Sequence, residues 1–278
     1  MKLQAFLPLI TYPDAHSDGT VVNAVAIASQ LNADLHAVAL IADIPDVSSA
    51  FSRILLDVPE MIRDAETQSR KQGKRLLEAA MKEAQRHGVM ITTDPVSAGL
   101  AVLGELAADY ARYYDIALLG YDASKETSRM VAEALIFGAA RPVILFPEAG
   151  AVGKIDKVAI AWDGSRSAAR AVADAAPLLL QAAAVTVLTV IDEKPLKEMD
   201  AGERMASLLR KRGLNAQALS IKSADLPIGM TLQNSAIEAK AGLLVMGGYG
   251  HSRLRDFVLG GATASVLDEL RLPVLFSH

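Results

Sequence analysis

Short apolar runs alternate with longer amphipathic segments along the first half of the chain. Continuous apolar runs are typical of strands buried on both faces, whereas apolar residues spaced three and four positions apart indicate a helix. The runs predict strands at 6–12, 35–41, 90–93, 115–122 and 141–147. The amphipathic segments predict helices at 21–31, 59–87, 100–112 and 128–137.

The second half repeats this order of elements. Strands are predicted at 157–162, 185–191, 216–221, 243–247 and 272–277, and helices at 168–180, 203–212, 229–239 and 263–270. The segments IALLGY and RPVILF of the first half match LLVMGGY and LPVLF of the second. Residues 148–156, EAGAVGKID, have no periodicity and predict a linker. We therefore expect two tandem α/β domains, 1–150 and 151–278, each with a five-stranded parallel sheet and helices on both faces.

Composition narrows the classes of function. The net charge is -4 and no basic cluster stands out, which argues against nucleic acid as the main partner. The absence of cysteine excludes disulfides and zinc–thiolate sites. Residues 175–191 carry no charge, but Pro177 and Gln181 interrupt them, so they do not predict a membrane span. Because proline also breaks the N-terminal apolar stretch early, no signal peptide is predicted and we expect a cytoplasmic protein without a membrane partner.

Polar and glycine residues follow three strands of the second half. The first strand ends in Trp162-Asp163-Gly164-Ser165, the second in Val190-Ile191-Asp192, and the fourth in the glycine-rich segment 246–261. In parallel sheets, ligands bind beyond the carboxyl ends of the strands. Glycine lets the backbone approach a ligand closely, and a helix that begins there offers N–H groups to an anion. The pattern predicts a phosphate-binding cleft.

The glycine spacing resembles that of the universal stress protein family. Gly247 is followed by two residues and Gly250, then by nine residues and Gly260. The segments VAIAWDGS, VLTVIDE and LLVMGGYGHSRL resemble the first, second and fourth strands of that family with their loops. The resemblance covers the chain as a tandem pair, and it is strong over 158–278 and weak over 1–147. It implies a Rossmann-like fold of the adenine nucleotide alpha hydrolase type.

In the ATP-binding branch of that family, the matched positions imply a nucleotide site in the second half. The resemblance implies that Asp163 accepts hydrogen bonds from the ribose or base and that the Val190 backbone contacts adenine. It also implies that Thr263 lies close to the phosphates. The phosphate-binding N–H groups would come from Gly247, Gly250, Gly260 and Gly261. The adjoining residues Met246, His251 and Ala262 complete the predicted site. The implied ligand is ATP or AMP, with or without Mg²⁺, and its role is regulatory in a stress response.

Two departures from the family pattern keep other readings open. Gly261 stands where the family has Ser or Thr, so a hydroxyl donor is lost unless His251 or Ser252 compensates. In the first half, Asp122 and Glu126 lie where phosphate would bind, so we expect no nucleotide there. That half would act as a scaffold by pairing with the second half, as two family subunits pair in a dimer; a further homodimer is left open.

The same residues leave two other functions open. One is a nucleotide-free interaction module of the stress response, and a weaker one is a slow ATPase. No catalytic residue is predicted, because no partner carboxylate for His251 can be located. The five histidines show no metal-ligand spacing, so no metal site is predicted. Asp163 itself has two readings, as a cap of the following helix or as a ligand contact.

Overall fold

Strands and helices alternate along the chain in the computed structural model, which describes residues 2–45, 58–193, 200–223, 225–248 and 261–278. The strands are β1 (Leu3–Ile10), β2 (Ala33–Asp43), β3 (Ile91–Gly99), β4 (Ile116–Tyr121), β5 (Val143–Pro147), β6 (Lys157–Ala161), β7 (Ala184–Val190), β8 (Ala216–Ile221), β9 (Leu243–Gly247) and β10 (Val274–Ser277). The helices are α1 (Asp18–Gln30), α2 (Val58–His87), α3 (Leu103–Ala111), α4 (Glu126–Gly138), α5 (Arg166–Asp174), α6 (Ala176–Leu179), α7 (Ala201–Lys211), α8 (Ile228–Glu238) and α9 (Gly261–Asp268). A short 3₁₀ helix, Leu100–Val102, precedes α3.

The strands form one continuous sheet in the order β3-β2-β1-β4-β5-β10-β9-β6-β7-β8. Each half contributes five parallel strands in the same relative order, which confirms the predicted fold class. The halves join edge to edge through β5 and β10, whose pairing is antiparallel. Ile144 pairs with Leu275 at the centre of this junction, and the pairs on either side of it are related by the sequence repeat. The junction is therefore pseudo-symmetric.

Each face of the sheet is covered by helices from both halves. On β1, Leu7 and Leu9 belong to the core under α1 and α2, while Phe6 and Ile10 belong to the core under α3 and α4. The same division holds in the second half, where α5, α6 and α7 cover the first face and α8 and α9 the second. Burial on both faces explains why the strands are continuous apolar runs rather than alternating ones.

Three predicted boundaries were wrong, and two of them have an identifiable reason. β1 covers 3–10 rather than 6–12. β3 runs to Gly99 through Pro95, and it tolerates this proline because it is an edge strand. The predicted helix 168–180 is two helices, α5 and α6, because Pro177 lacks the N–H that would continue α5.

The predicted linker is fastened to helix α1. The buried side chain of Asn23 donates to the carbonyl oxygens of Pro147 and Gly150 at 3.3 and 2.9 Å, and accepts from the Val152 N–H at 3.1 Å. Gln30, seven residues further along the same helix, bonds the backbone of Gly153 and Ile155. The chain between β5 and β6 therefore follows a defined path despite its small, aperiodic composition.

Candidate functional site

The end of β6 is built around a turn that starts helix α5. The Asp163 Oδ1 atom accepts the Ser165 N–H at 2.9 Å, and Gly164 between them has φ +74°, a conformation that favours glycine. The Ser165 hydroxyl is the N-cap of α5 and accepts the Ala168 N–H at 3.1 Å. The cap of this helix is therefore Ser165 and not Asp163, and the Asp163 carboxylate instead holds the turn that precedes the helix.

The ends of β6, β7 and β9 and the start of α9 surround one cleft. Seven of the ten predicted site residues line it, namely Asp163, Val190, Met246, Gly247, Gly261, Ala262 and Thr263. The other three, Gly250, His251 and Gly260, lie outside the described residues. The residues that sequence reasoning missed in the cleft are Ala161, Trp162, Ser165, Ser167, Ala168, Leu188, Glu193, Ile228 and Leu232.

Among the missed residues, Leu188 had a readable signal, whereas Ile228 and Leu232 did not. Leu188 lies two positions before Val190 on β7, and therefore on the same face of that strand. Ile228 and Leu232 lie four positions apart on α8, which begins directly after Pro227. Their contribution could not be read from the sequence because α8 reaches the cleft only through the crossover that places it on the second face of the sheet.

Gly247 has a packing reason to be glycine. A Cβ atom on it would lie 2.6 Å from the backbone carbonyl carbon of Ser167 and 2.7 Å from the Ser167 Cβ. The N-terminal turn of α5 therefore lies directly against the end of β9. The next residue, Gly248, donates its N–H to the carbonyl oxygen of Ser277 at 2.7 Å, and a Cβ on it would lie 2.8 Å from the Ile136 side chain. These two glycines are explained by the fold before any ligand is considered.

Gly261 is in the opposite situation. It begins α9 and is exposed, and none of the described residues outside its own helix has an atom within 4 Å of the place where its Cβ would be. Thr263, two residues further along the same helix, is only 2% exposed. The serine or threonine of the family pattern would fit at 261 without displacing any described atom.

The carboxylate of Asp192, which follows β7, is engaged in a hydrogen bond within the protein. Its two carboxylate oxygens accept the Ser223 N–H at 2.9 and 3.1 Å, which ties the end of β7 to the end of β8. This hydrogen bond lowers the pKa of the Asp192 carboxyl below its usual value.

Comparison with known proteins identifies this half. The model of the universal stress protein family matches residues 154–278. This half of the chain belongs to the universal stress protein family. A curated universal stress protein from Synechocystis sp. is 32% identical over 127 residues, a match that covers 44% of this chain and 42% of that relative. The chain thus spans less than half of the relative's length.

Solved structures extend the likeness in fold to the first half. A universal stress protein from Archaeoglobus fulgidus superposes with a TM-score of 0.71 at 14% identity, covering 98% of this chain and 95% of that one. A structure described as a putative universal stress protein from Pseudomonas aeruginosa has a TM-score of 0.56 at 14% identity and covers 99% of this chain and 93% of that one. At these identities the likeness shows the fold alone.

In the first half, buried side chains occupy the space beyond the carboxyl ends of β1 and β2. The side chain of Ser69, on α2, is fully buried and lies between the ends of β1 and β2. Its hydroxyl is 2.6 Å from the Thr11 hydroxyl and accepts the Ala42 N–H at 2.8 Å. This contact is possible because α2 continues well before Gly73, the glycine that packs on β2, whereas α7 starts one residue before its equivalent, Gly202.

A buried histidine and a buried carboxylate lie beyond the carboxyl ends of β1 and β4 in the first half. His16 Nδ1 accepts the Ile10 N–H at 3.1 Å, and His16 Nε2 donates to the Gly120 carbonyl oxygen at 3.1 Å. Glu148, also buried, accepts from Lys125 Nζ at 2.9 Å and approaches His16 Nε2 to 3.7 Å. Glu148 is the acidic residue that sequence reasoning missed. Asp122, which was predicted to oppose phosphate, accepts the N–H and hydroxyl of Ser124 instead.

Acid should destabilise the protein through His16. Burial, with Lys125 adding to it, lowers the pKa of His16 from 6.5 to about 3. The neutral ring is therefore the folded form, and its stability contribution is complete above pH 6.5 and is lost as the pH falls towards 3. We expect the free energy of unfolding to fall by up to about 1.4 kcal/mol per pH unit in this window.

Urea unfolding measured between pH 7 and pH 4 checks this expectation. His16→Gln keeps one donor and one acceptor but does not titrate, so this variant should show a flatter pH dependence. An equally steep loss of stability in that variant would place the titrating group elsewhere.

Two findings on the described residues concern metal binding and membrane insertion. Among the described residues, no group of three histidine, aspartate or glutamate side chains is arranged to hold a metal ion. Within the same residues, no helix is both long enough and apolar enough to cross a membrane.

Proposed function

We propose that the universal stress protein half, residues 151–278, binds an adenine nucleotide, ATP or AMP, as a regulatory ligand in a stress response. The observation that carries this proposal is the convergence of three strand ends and the start of α9 on one cleft. The first half, residues 1–150, would serve as a scaffold. In this proposal the nucleotide is bound and not hydrolysed. The protein is proposed to be cytoplasmic.

The walls of the cleft are divided by chemistry in a way that suits a nucleotide. Leu188, Val190, Ile228, Leu232 and Met246 form an apolar part, which can take a purine ring. Polar groups stand at Asp163, Ser165, Ser167 and Thr263. Both α5 and α9 begin at the cleft, so two helix N-termini are directed at the region where phosphates would lie.

Mg²⁺ would enter with the nucleotide rather than occupy a preformed site. The acidic residues lining the cleft in the described part of the chain are Asp163 and Glu193. Since Mg²⁺ commonly binds through one or two carboxylates together with substrate phosphates, these two residues are its candidate protein ligands.

The direct test combines two measurements on the full chain. Mass spectrometry of small molecules released from gently purified protein identifies any ligand retained from the cell. Calorimetric titration with ATP and AMP, and with inorganic phosphate and GTP for comparison, measures affinity and specificity. We expect saturable binding with one nucleotide per chain and a preference for adenine. Absence of both retained ligand and heat of binding would overturn the proposal.

Asp163→Asn separates the two roles of that residue. The asparagine side chain keeps an oxygen that can accept the Ser165 N–H, so the turn and the stability should survive. Hydrogen bonds from a ribose to a charged group are stronger than those to a neutral amide by about 1 kcal/mol, so affinity should fall about fivefold. Calorimetry gives the affinity and urea unfolding the stability. Unchanged affinity would leave Asp163 with its structural role alone.

One observation favours a second function, a nucleotide-free interaction module. Gly247 is required by the packing of α5, and Gly261 lacks the hydroxyl of the family pattern, so the glycines alone do not demand a ligand. Under this alternative the protein binds no nucleotide at any concentration tested, and its partner would be another protein. Nucleotide retained through purification would contradict it.

A further inference from the structure

The first half contributes a hydrogen bond to the helix that begins at the cleft of the second half. The hydroxyl of Tyr121, at the end of β4, donates to the carbonyl oxygen of Leu267 near the end of α9 at 2.6 Å. Tyr121 is 2% exposed, and burial raises the pKa of its phenol to about 12, so it remains a donor at neutral pH. The last carbonyl groups of a helix have no partner within it, and this bond satisfies one of them.

The position of Tyr121 in the pseudo-symmetric sheet explains how it reaches across. Gly120 pairs with Phe146 on β5, and Gly247 pairs with Ser277 on β10, so Tyr121 and Gly248 are equivalent residues of the two halves. The equivalent of Leu267 is Ile136, and a Cβ on Gly248 would meet Ile136 at 2.8 Å. One half thus places a tyrosine where the other places a glycine. The residue that departs from the glycine loop in the first half is the one that holds α9.

Helix α9 depends on such contacts for its placement. It has eight residues, and helices this short are not stable by themselves in water. From its own half, the buried Gln233 on α8 bonds the carbonyl oxygen of Glu269 and the N–H of Arg271, both at 2.8 Å. From the first half, Arg129 pairs with Asp268 at 2.8 Å, but this ion pair is largely exposed and therefore weak. The hydrogen bond from Tyr121 is, by contrast, a buried polar contact from the first half.

We infer that Tyr121 is a positioning residue for the cleft: by holding the C-terminal end of α9, it fixes the direction in which Gly261, Ala262 and Thr263 present the start of that helix to a ligand. The ligand part of this inference rests on the proposed nucleotide binding. The first half is then more than a passive scaffold, because its degenerate loop residue sets the geometry of the neighbouring site.

Hydrogen exchange and calorimetry on the full chain test the inference. Tyr121→Phe keeps the ring and removes the hydroxyl, so the fold should persist. We expect the backbone N–H groups of α9 to exchange at least fivefold faster, and ATP or AMP to bind about twofold to tenfold more weakly, the range that one net hydrogen bond gives. Tyr113→Phe removes a hydroxyl from a side chain that is 88% exposed and is the matched control. Arg129→Gln should change both quantities less than Tyr121→Phe does.

The positioning role of Tyr121 and its effect on ligand affinity are decided by different outcomes. Unchanged exchange in α9 of Tyr121→Phe would overturn the positioning role. Faster exchange with unchanged affinity would overturn the link between that role and the ligand. Failure of the wild-type protein to bind nucleotide would contradict the proposed function and the ligand part together, while the exchange measurement would still decide whether Tyr121 holds α9.

Discussion

Gly261→Asp is expected to weaken nucleotide binding at least a hundredfold while leaving the fold intact. The side chain would project from the start of α9, where no atom of the described residues outside that helix lies within 4 Å of the new Cβ, so none of them has to move. A carboxylate near a helix N-terminus is favourable for the helix itself. The same carboxylate would repel a phosphate bound there, and like charges brought together in an interface cost several kcal/mol.

Gly261→Ser is the matched control for this prediction. It occupies the same open space without charge and restores the hydroxyl of the family pattern. We expect it to bind ATP or AMP at least as tightly as the wild-type protein, with a gain of about threefold or more if the hydroxyl reaches a phosphate oxygen. Calorimetric titration of both variants, with urea unfolding to verify their stability, gives the comparison. Equal affinities for the aspartate and serine variants would show that the phosphates do not bind at the start of α9.

The alternation of strands and helices was predictable because it follows from burial. A strand covered on both faces, such as β4 with its sequence IALLGY, must be apolar throughout, and each crossover helix must present one apolar side. The repeat of this order in the second half predicted the architecture of each half. The β5–β10 junction could not be predicted in the same way, because the sequences RPVILF and LPVLF indicate buried strands but not which strand edges pair.

The candidate site was predictable at the ends of strands and not on the elements that reach it from elsewhere. Val190 ends β7, and Asp163 lies two residues after the end of β6. These two strands pair with each other in the sheet, so the topology brings the two residues together. Tyr121 and Ser69 could not be assigned, because their roles depend on contacts made across the junction or through the extra turns of α2. The glycine spacing did not separate the packing role of Gly247 from the open position of Gly261.

Gly247→Ala is expected to destabilise the protein by about 1–3 kcal/mol, the usual cost of forcing an extra carbon into a packed contact. The new Cβ would lie 2.6 Å from the backbone carbonyl carbon of Ser167, so α5 must move away from β9. Shortening the Ser167 side chain would not relieve this contact, because the nearest atom belongs to the main chain. Ser165 and Ser167 would move with α5, and the cleft would widen.

Gly261→Ala is the control, because the same added carbon meets no described atom within 4 Å at that position. It should leave stability unchanged or raise it by up to about 1 kcal/mol, since alanine restricts the unfolded chain more than glycine does. The urea midpoint, compared at constant slope, measures both effects. If Gly247 served only as a phosphate contact, Gly247→Ala would weaken nucleotide binding without lowering the urea midpoint. A combined loss of stability and affinity would show that the same glycine that lets α5 approach β9 also sets the width of the cleft.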